Sequence, residues 1–267
     1  MYYTFPVIVA LVFGTFIGSF LNVLILRHNT GKTLLGRSGC MSCRGQLRWF
    51  ELVPVVSWLT QRGRCRRCHS QISRQYPLVE LLAGLLFVFA LFFSDSALEL
   101  VLNAVLFSIL LVILVYDLRH KIIPDRYVWA FVGLGALSLF IDPTSLDLVI
   151  PSISSLLAGP VLALPFAALW FFSKGTWIGF GDAKLALGIG VWLGLSAGLV
   201  AILYSFWIGA LVSVGVMAAQ KLRTLSRGGK QLTMKSEVPF APFLILGFLL
   251  VYLLPQIFLA PFSYLYF

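Results

Sequence analysis

The feature that most constrains this chain is a succession of apolar runs, several close to 20 residues long, separated by polar stretches. A run of about 20 residues is what an α-helix needs to cross a hydrocarbon core roughly 30 Å thick. Inside that core the backbone must satisfy its own hydrogen bonds, so such runs predict helices and not open sheet. The candidate spans are 4–26, 78–93, 99–116, 127–141, 148–172, 184–196, 198–219 and 240–258, eight in all. Two of them, 127–141 and 184–196, are short, which leaves six or seven full spans open. Composition agrees: 60% of residues are apolar and 11% charged, against about a quarter charged in a soluble domain. The expected fold class is an all-α polytopic membrane protein with about eight transmembrane helices.

Orientation follows from Lys and Arg, which stay on the cytoplasmic side of span ends. All 20 fall in alternate loops: ten in 27–77, three in 117–126, two in 174–184 and five in 220–237. The opposite loops hold Asp95, Asp142 and Asp147, with Glu99 at an edge. Both termini are then expected outside, and the basic loops in the cytoplasm. A net charge of +10 is accounted for by topology and by attraction to anionic membrane lipid, and a nucleic-acid partner is not expected. The first run reads as a span, because Met1–Pro6 has no basic residue and no small-residue cleavage site precedes Arg27. The chain divides into a first span (1–26), a cytoplasmic tetra-cysteine domain (27–77) and a membrane core (78–267).

Residues 27–77 contain all four cysteines and one acid, Glu51. Cys40-Met-Ser-Cys43 and Cys65-Arg-Arg-Cys68 are two CxxC knuckles separated by 21 residues. Such a pair presents four thiolates tetrahedrally to Zn²⁺. Two disulfides are the alternative, at odds with a reducing cytoplasm. A loop of this size buries too little apolar surface to fold alone, and a metal would close it. The stretch Leu52–Leu59 is expected to form a partial core or a surface lying on the membrane. His69 adjoins Cys68 but is surplus to four cysteines, and His28 and His120 read as surface residues.

Ionisable residues at the edge of a bilayer are costly, so each is a site candidate. Asp117 ends an apolar run, and Asp182 stands in Gly179-Phe180-Gly181-Asp182-Ala183-Lys184 just before another. The charge pattern sets both at the cytoplasmic level. Two carboxylates brought together share one proton; the ionised one activates water and the protonated one polarises a carbonyl. The bland alternatives are pairing of Asp117 with Arg119 or Lys121, and of Asp182 with Lys184. Asp125, after Pro124, suits a helix cap. Glu80 is either a helix N-terminal carboxylate or a group that recognises an amine or a methyl donor. Pro239–Phe243 reads as the rigid start of a helix or as a groove lining.

Taken together these motifs resemble the type IV prepilin peptidases, membrane aspartic proteases of the GxGD type. The likeness is carried by Gly18-Ser19-Phe20-Leu21-Asn22-Val23, the CxxC pair, Ser57-Trp58-Leu59, Arg62-Gly63-Arg64-Cys65, Tyr76-Pro77-Leu78-Val79-Glu80, Asp117 with Ile123-Pro124-Asp125, Gly179–Lys184 and Pro239–Phe243. The connection from Arg27 to Cys40 is shorter than in many relatives. The resemblance implies a bacterial cytoplasmic-membrane enzyme that removes the basic leader of prepilins and pseudopilins, typically after a glycine. It also implies methylation of the new N-terminal amine with S-adenosylmethionine as co-substrate. Residue by residue it implies Asp117 and Asp182 as the catalytic pair and, where zinc is present, Cys40, Cys43, Cys65 and Cys68 as its ligands. An ion-coupled transporter using the same aspartates, and a zinc-dependent docking module on an inert anchor, are the competing functions.

Overall fold

The structure, a computed structural model, describes residues 4–31, 33, 36–141, 147–227 and 239–262, with the backbone alone given for 219–227. Asp142 and the basic stretch 228–237 of the charge pattern lie outside the described residues, as does Lys32. The helices are α1 (Thr4–Arg27), α2 (Val56–Thr60), α3 (Gln75–Phe92), α4 (Ala97–His120), α5 (Asp125–Phe140), α6 (Ile153–Ser173), α7 (Phe180–Arg227), α8 (Ala241–Leu253) and α9 (Pro255–Phe258), with a 3₁₀ turn at Trp49–Leu52. Among the described residues there is no strand, only isolated bridges. The protein is all-helical. Among the described residues, five helices are long and apolar enough to cross a membrane: α1, α3, α4, α6 and the Phe180–Ala218 part of α7.

Two of the expected boundaries differ. The runs 184–196 and 198–219 form one helical stretch, broken at Gly194, whose φ of 74° and ψ of −176° belong to a region open only to glycine. The run 240–258 is divided where α8 ends at Leu253 and Pro255 starts α9, because proline cannot continue the preceding hydrogen-bond ladder.

The chain forms two compact units, Met1–Val115 and Tyr116–Phe267. In the first, α1 lies against α3. A Cβ added to Gly14 would sit 2.8 Å from Ala83 O and Gly84 Cα, and one on Gly18 would sit 2.7 Å from Glu80 Cα. Small residues four apart let two membrane helices approach this closely, where dispersion and not hydrophobicity drives contact. In the second unit α7 is the hub, packing on α5, α6 and α8. Phe131, Leu185, Ile189, Leu244 and Phe248 are buried there. The Trp192 indole donates to the Phe131 carbonyl at 3.1 Å, and its ring stacks on Phe131 at 6.2 Å. This packing anchors the N-terminal half of α7, which carries one of the candidate carboxylates.

Candidate active site and metal site

Asp117 lies in the last turn of α4. That helix ends at His120, and Lys121 then takes a left-handed φ of 54° while its N–H binds the Asp117 carbonyl at 2.7 Å. Asp182 lies in the first turn of α7. Its carboxylate accepts the backbone N–H of Gly179, and its own N–H binds the Gly179 carbonyl at 3.1 Å. This reciprocal pairing resembles a helix capping box. Both aspartates are buried, 4% and 7% exposed. They line one cavity of about 800 Å³, together with Ile123, Gly179, Gly181 and Phe240. The charge of Asp117 acts on Asp182. The Ala241 N–H, at the start of α8, donates to Asp117, whereas Asp117 Oδ2 is buried with no hydrogen-bond partner.

The glycine at 181 is required by packing. A side chain there would place its Cβ 2.8 Å from Ile123 Cβ. The segment after α4 thus rests directly on the first turn of α7, holding the two aspartate-bearing ends together. The residue that needs this close approach, Ile123, lies 58 positions away in the chain.

Asp125 is not a cap. Pro124 occupies the N-cap position of α5 without a side-chain bond, and Asp125 is the first helical residue. Its carboxylate instead binds Lys184 Nζ at 2.6 Å, so Lys184 serves Asp125 and not Asp182. The Pro239–Phe243 segment does start a helix with proline in its first turn, and it also lines the cavity through Pro239 and Phe240.

The four cysteines come together in the first unit, with their sulfurs all within 4.8 Å of one another and no disulfide between them. Each knuckle is built the same way. Cys40 N–H bonds Gly45 O at 3.0 Å and Cys65 N–H bonds Ser70 O at 2.9 Å, while Arg44 and His69 both take φ of 56°. His69 is thus a backbone corner, outside the sulfur cluster. The Cys43 N–H and then the Ser70 hydroxyl lower the Cys40 thiol to about 6, and the Ser70 hydroxyl lowers Cys68. Cys43 has the Gly45 N–H pulling it down, but the adjoining Cys40 and Cys68 sulfurs push it up to about 11. A cluster that stabilises thiolates at two corners is suited to a metal ion. Near it Trp49, Leu52, Val56 and Leu59 are exposed apolar residues, so the Leu52–Leu59 stretch presents more surface than core.

For Glu80 the sequence leaves two readings, a helix N-terminal carboxylate or a group that recognises an amine or a methyl donor. The residue is 6% exposed, and it accepts the Val55 N–H at 2.7 Å and the Ser19 hydroxyl. The link to Val55 was not foreseen.

These features define a class: a polytopic helical membrane protein with paired buried carboxylates in one cavity and a separate tetra-cysteine cluster. Residues 12–93 match the Bacterial Peptidase A24 N-terminal domain, and residues 104–214 match the Type IV leader peptidase family. A prepilin leader peptidase/N-methyltransferase from Bacillus subtilis (strain 168) is 30% identical over 243 residues, 91% of this chain and 92% of that protein. One from Stutzerimonas stutzeri is 30% identical over 271 residues, 90% of this chain and 88% of the relative. One from Myxococcus xanthus is 46% identical over a shorter stretch of 114 residues, 42% of this chain and 34% of that protein. No solved structure matches the chain. The chain belongs to the type IV leader peptidase family.

Proposed function

We propose that this protein cleaves the basic leader from type IV prepilins and pseudopilins at the cytoplasmic face of a bacterial inner membrane, and then methylates the new N-terminus. The observation that carries the proteolytic step is the shared cavity: two buried aspartates from the ends of α4 and α7 open onto it. In this mechanism Asp117 and Asp182 share a proton, since two carboxylates lining one cavity do not both ionise cheaply. The ionised carboxylate takes a proton from water as that water attacks the scissile carbonyl, and the protonated partner donates to the carbonyl oxygen. Return of the proton to the departing amine completes the cut. The Ile123–Gly181 contact holds the two helix ends in register, and Pro239 and Phe240 supply an apolar wall for an extended peptide.

The relatives' names include N-methyltransferase, and we carry that activity over with S-adenosylmethionine as the methyl donor. The cysteine cluster is read as a structural zinc site of Cys40, Cys43, Cys65 and Cys68. Tetrahedral zinc with Zn–S near 2.3 Å sets sulfurs about 3.8 Å apart, and Cys40 and Cys68 are 3.7 Å apart. In this reading residues 27–77 form the cytoplasmic zinc domain between the first span (1–26) and the membrane core (78–267). The break at Gly194 is read as dividing α7 into two crossings, which supports a count of eight; with the basic loops taken as cytoplasmic, both termini lie outside in this reading. A transporter is disfavoured because both aspartates stand at helix ends. A docking module leaves the paired carboxylates unexplained.

The test uses purified wild type, Asp117→Asn and Asp182→Asn with a prepilin, with and without S-adenosylmethionine, read by mass. Each variant inserts but leaves the leader uncut, and wild type adds a methyl group only with the donor. Cleavage by either variant at the wild-type rate refutes the mechanism.

A further inference from the structure

One turn joins the cysteine cluster to the α1–α3 pair. At Pro54-Val55-Val56 the chain makes a γ-turn, with the Val56 N–H on the Pro54 carbonyl and Val55 at φ 60°, ψ −53°. A β-branched residue in that region is an outlier, and such a turn is strained. Strained conformations persist where their surroundings over-determine them. The restraint here is Glu80, buried on α3, whose Oε2 accepts the Val55 N–H at 2.7 Å while the same carboxylate accepts the Ser19 hydroxyl of α1.

From that turn a continuous set of contacts reaches the second knuckle. Val55 leads into α2, and the Trp58 ring lies over Gly63, where a Cβ would come within 2.9 Å of Trp58 Cζ2. The Gly63 N–H bonds the Trp58 carbonyl at 2.9 Å, the Ile72 N–H bonds the Gly63 carbonyl at 2.8 Å, and the Trp58 indole donates to the Ile72 carbonyl at 3.3 Å. Gly63 and Ile72 immediately flank the Arg64–Gln71 bridge, which closes the loop holding Cys65 and Cys68.

We infer that Glu80 is a positioning residue for the metal centre: by holding the strained Val55 turn it sets the second knuckle where its two sulfurs meet those of the first. This rests on the cysteines being the zinc ligands proposed above. Glu80 acts on the metal through the backbone and touches neither metal nor substrate.

The experiment loads the purified full-length protein with Zn²⁺ and follows its loss to a chelator. Glu80→Ala removes the acceptor and speeds loss on the order of tenfold. Glu80→Gln, whose amide oxygen still accepts from Val55, loses zinc at a rate between that of wild type and Glu80→Ala. The decisive arm is Val55→Gly, since glycine adopts a positive φ without strain. In the Val55→Gly background, Glu80→Ala speeds loss by less than about threefold, because less strain remains to be held. A carboxylate that merely fills space between α1 and α3 predicts no such rescue. If Glu80→Ala does not insert, Glu80→Gln with and without Val55→Gly carries the same comparison. Wild type that takes up no zinc overturns the cysteine reading itself. Zinc-loaded wild type that loses metal no more slowly than Glu80→Ala, or a Glu80 effect undiminished by Val55→Gly, overturns the clamp alone.

Discussion

Replacing Gly181 with alanine sets two opposing effects against each other. Gly181 is the second residue of α7 and precedes Asp182. Alanine is favoured over glycine within a helix by about 1 kcal/mol, so helix propensity alone predicts a small gain in stability. The added Cβ, however, would sit 2.8 Å from Ile123 Cβ, 3.1 Å from its Cδ1 and 3.2 Å from its Cγ1. Carbon atoms rest at about 3.5–4.0 Å, so the first turn of α7 and the Ile123 segment must separate by about 1 Å. Overpacking of this kind costs about 1–3 kcal/mol, which leaves the variant between nearly neutral and about 2 kcal/mol destabilised. The chemistry suffers more, because a misplacement of about 1 Å lowers a rate about 100-fold. The measurement is the rate of leader loss from a prepilin by mass, with helical circular dichroism to show that the variant is folded. Wild-type cleavage by folded Gly181→Ala would refute the claim that this contact sets the spacing of the aspartates. Adding Ile123→Ala removes the two longer contacts but leaves the shortest, and recovers less than about tenfold of the loss.

Three further outcomes are expected. Cys65→Ser loses zinc to a chelator that leaves wild type loaded, whereas His69→Asn keeps it, since asparagine tolerates the left-handed backbone at φ 56°; elemental analysis reads both. Asp125→Asn breaks the pair with Lys184, but Asp125 is 63% exposed and such pairs contribute at most about 1 kcal/mol, so cleavage falls less than about fivefold. Gly194→Ala meets no neighbouring atom within 4 Å, yet its φ of 74° makes the backbone strain about 1–3 kcal/mol; thermal unfolding shifts downward while an intact dyad keeps cutting.

Much of the site was legible because its signals are local. Two cysteines within a knuckle, or an aspartate at the end of an apolar run, declare themselves through spacing over a few residues. Asp125 shows where such reading stops. Its place after a proline suits a cap, but its partner Lys184 stands 59 residues away, and nothing in either neighbourhood marks the pairing. Glu80 is a second case: its proximity to the start of α3 was evident, while its bond to Val55, 25 residues earlier, was not. The Gly194 break lies inside an apolar run where glycine also serves close helix packing, so composition does not distinguish the two uses.

Helical crossings, the two knuckles and the pair of carboxylates at span ends were therefore written in the order of residues, because periodicity, chain reach and charge placement depend on neighbours in sequence. Tertiary structure alone decided that Asp117 and Asp182 open onto one cavity, that Ile123 seats against Gly181, and that Glu80 holds the Val55 turn. Each of these is a choice of partner between distant segments, made by how closely helices pack and which buried polar groups must be satisfied.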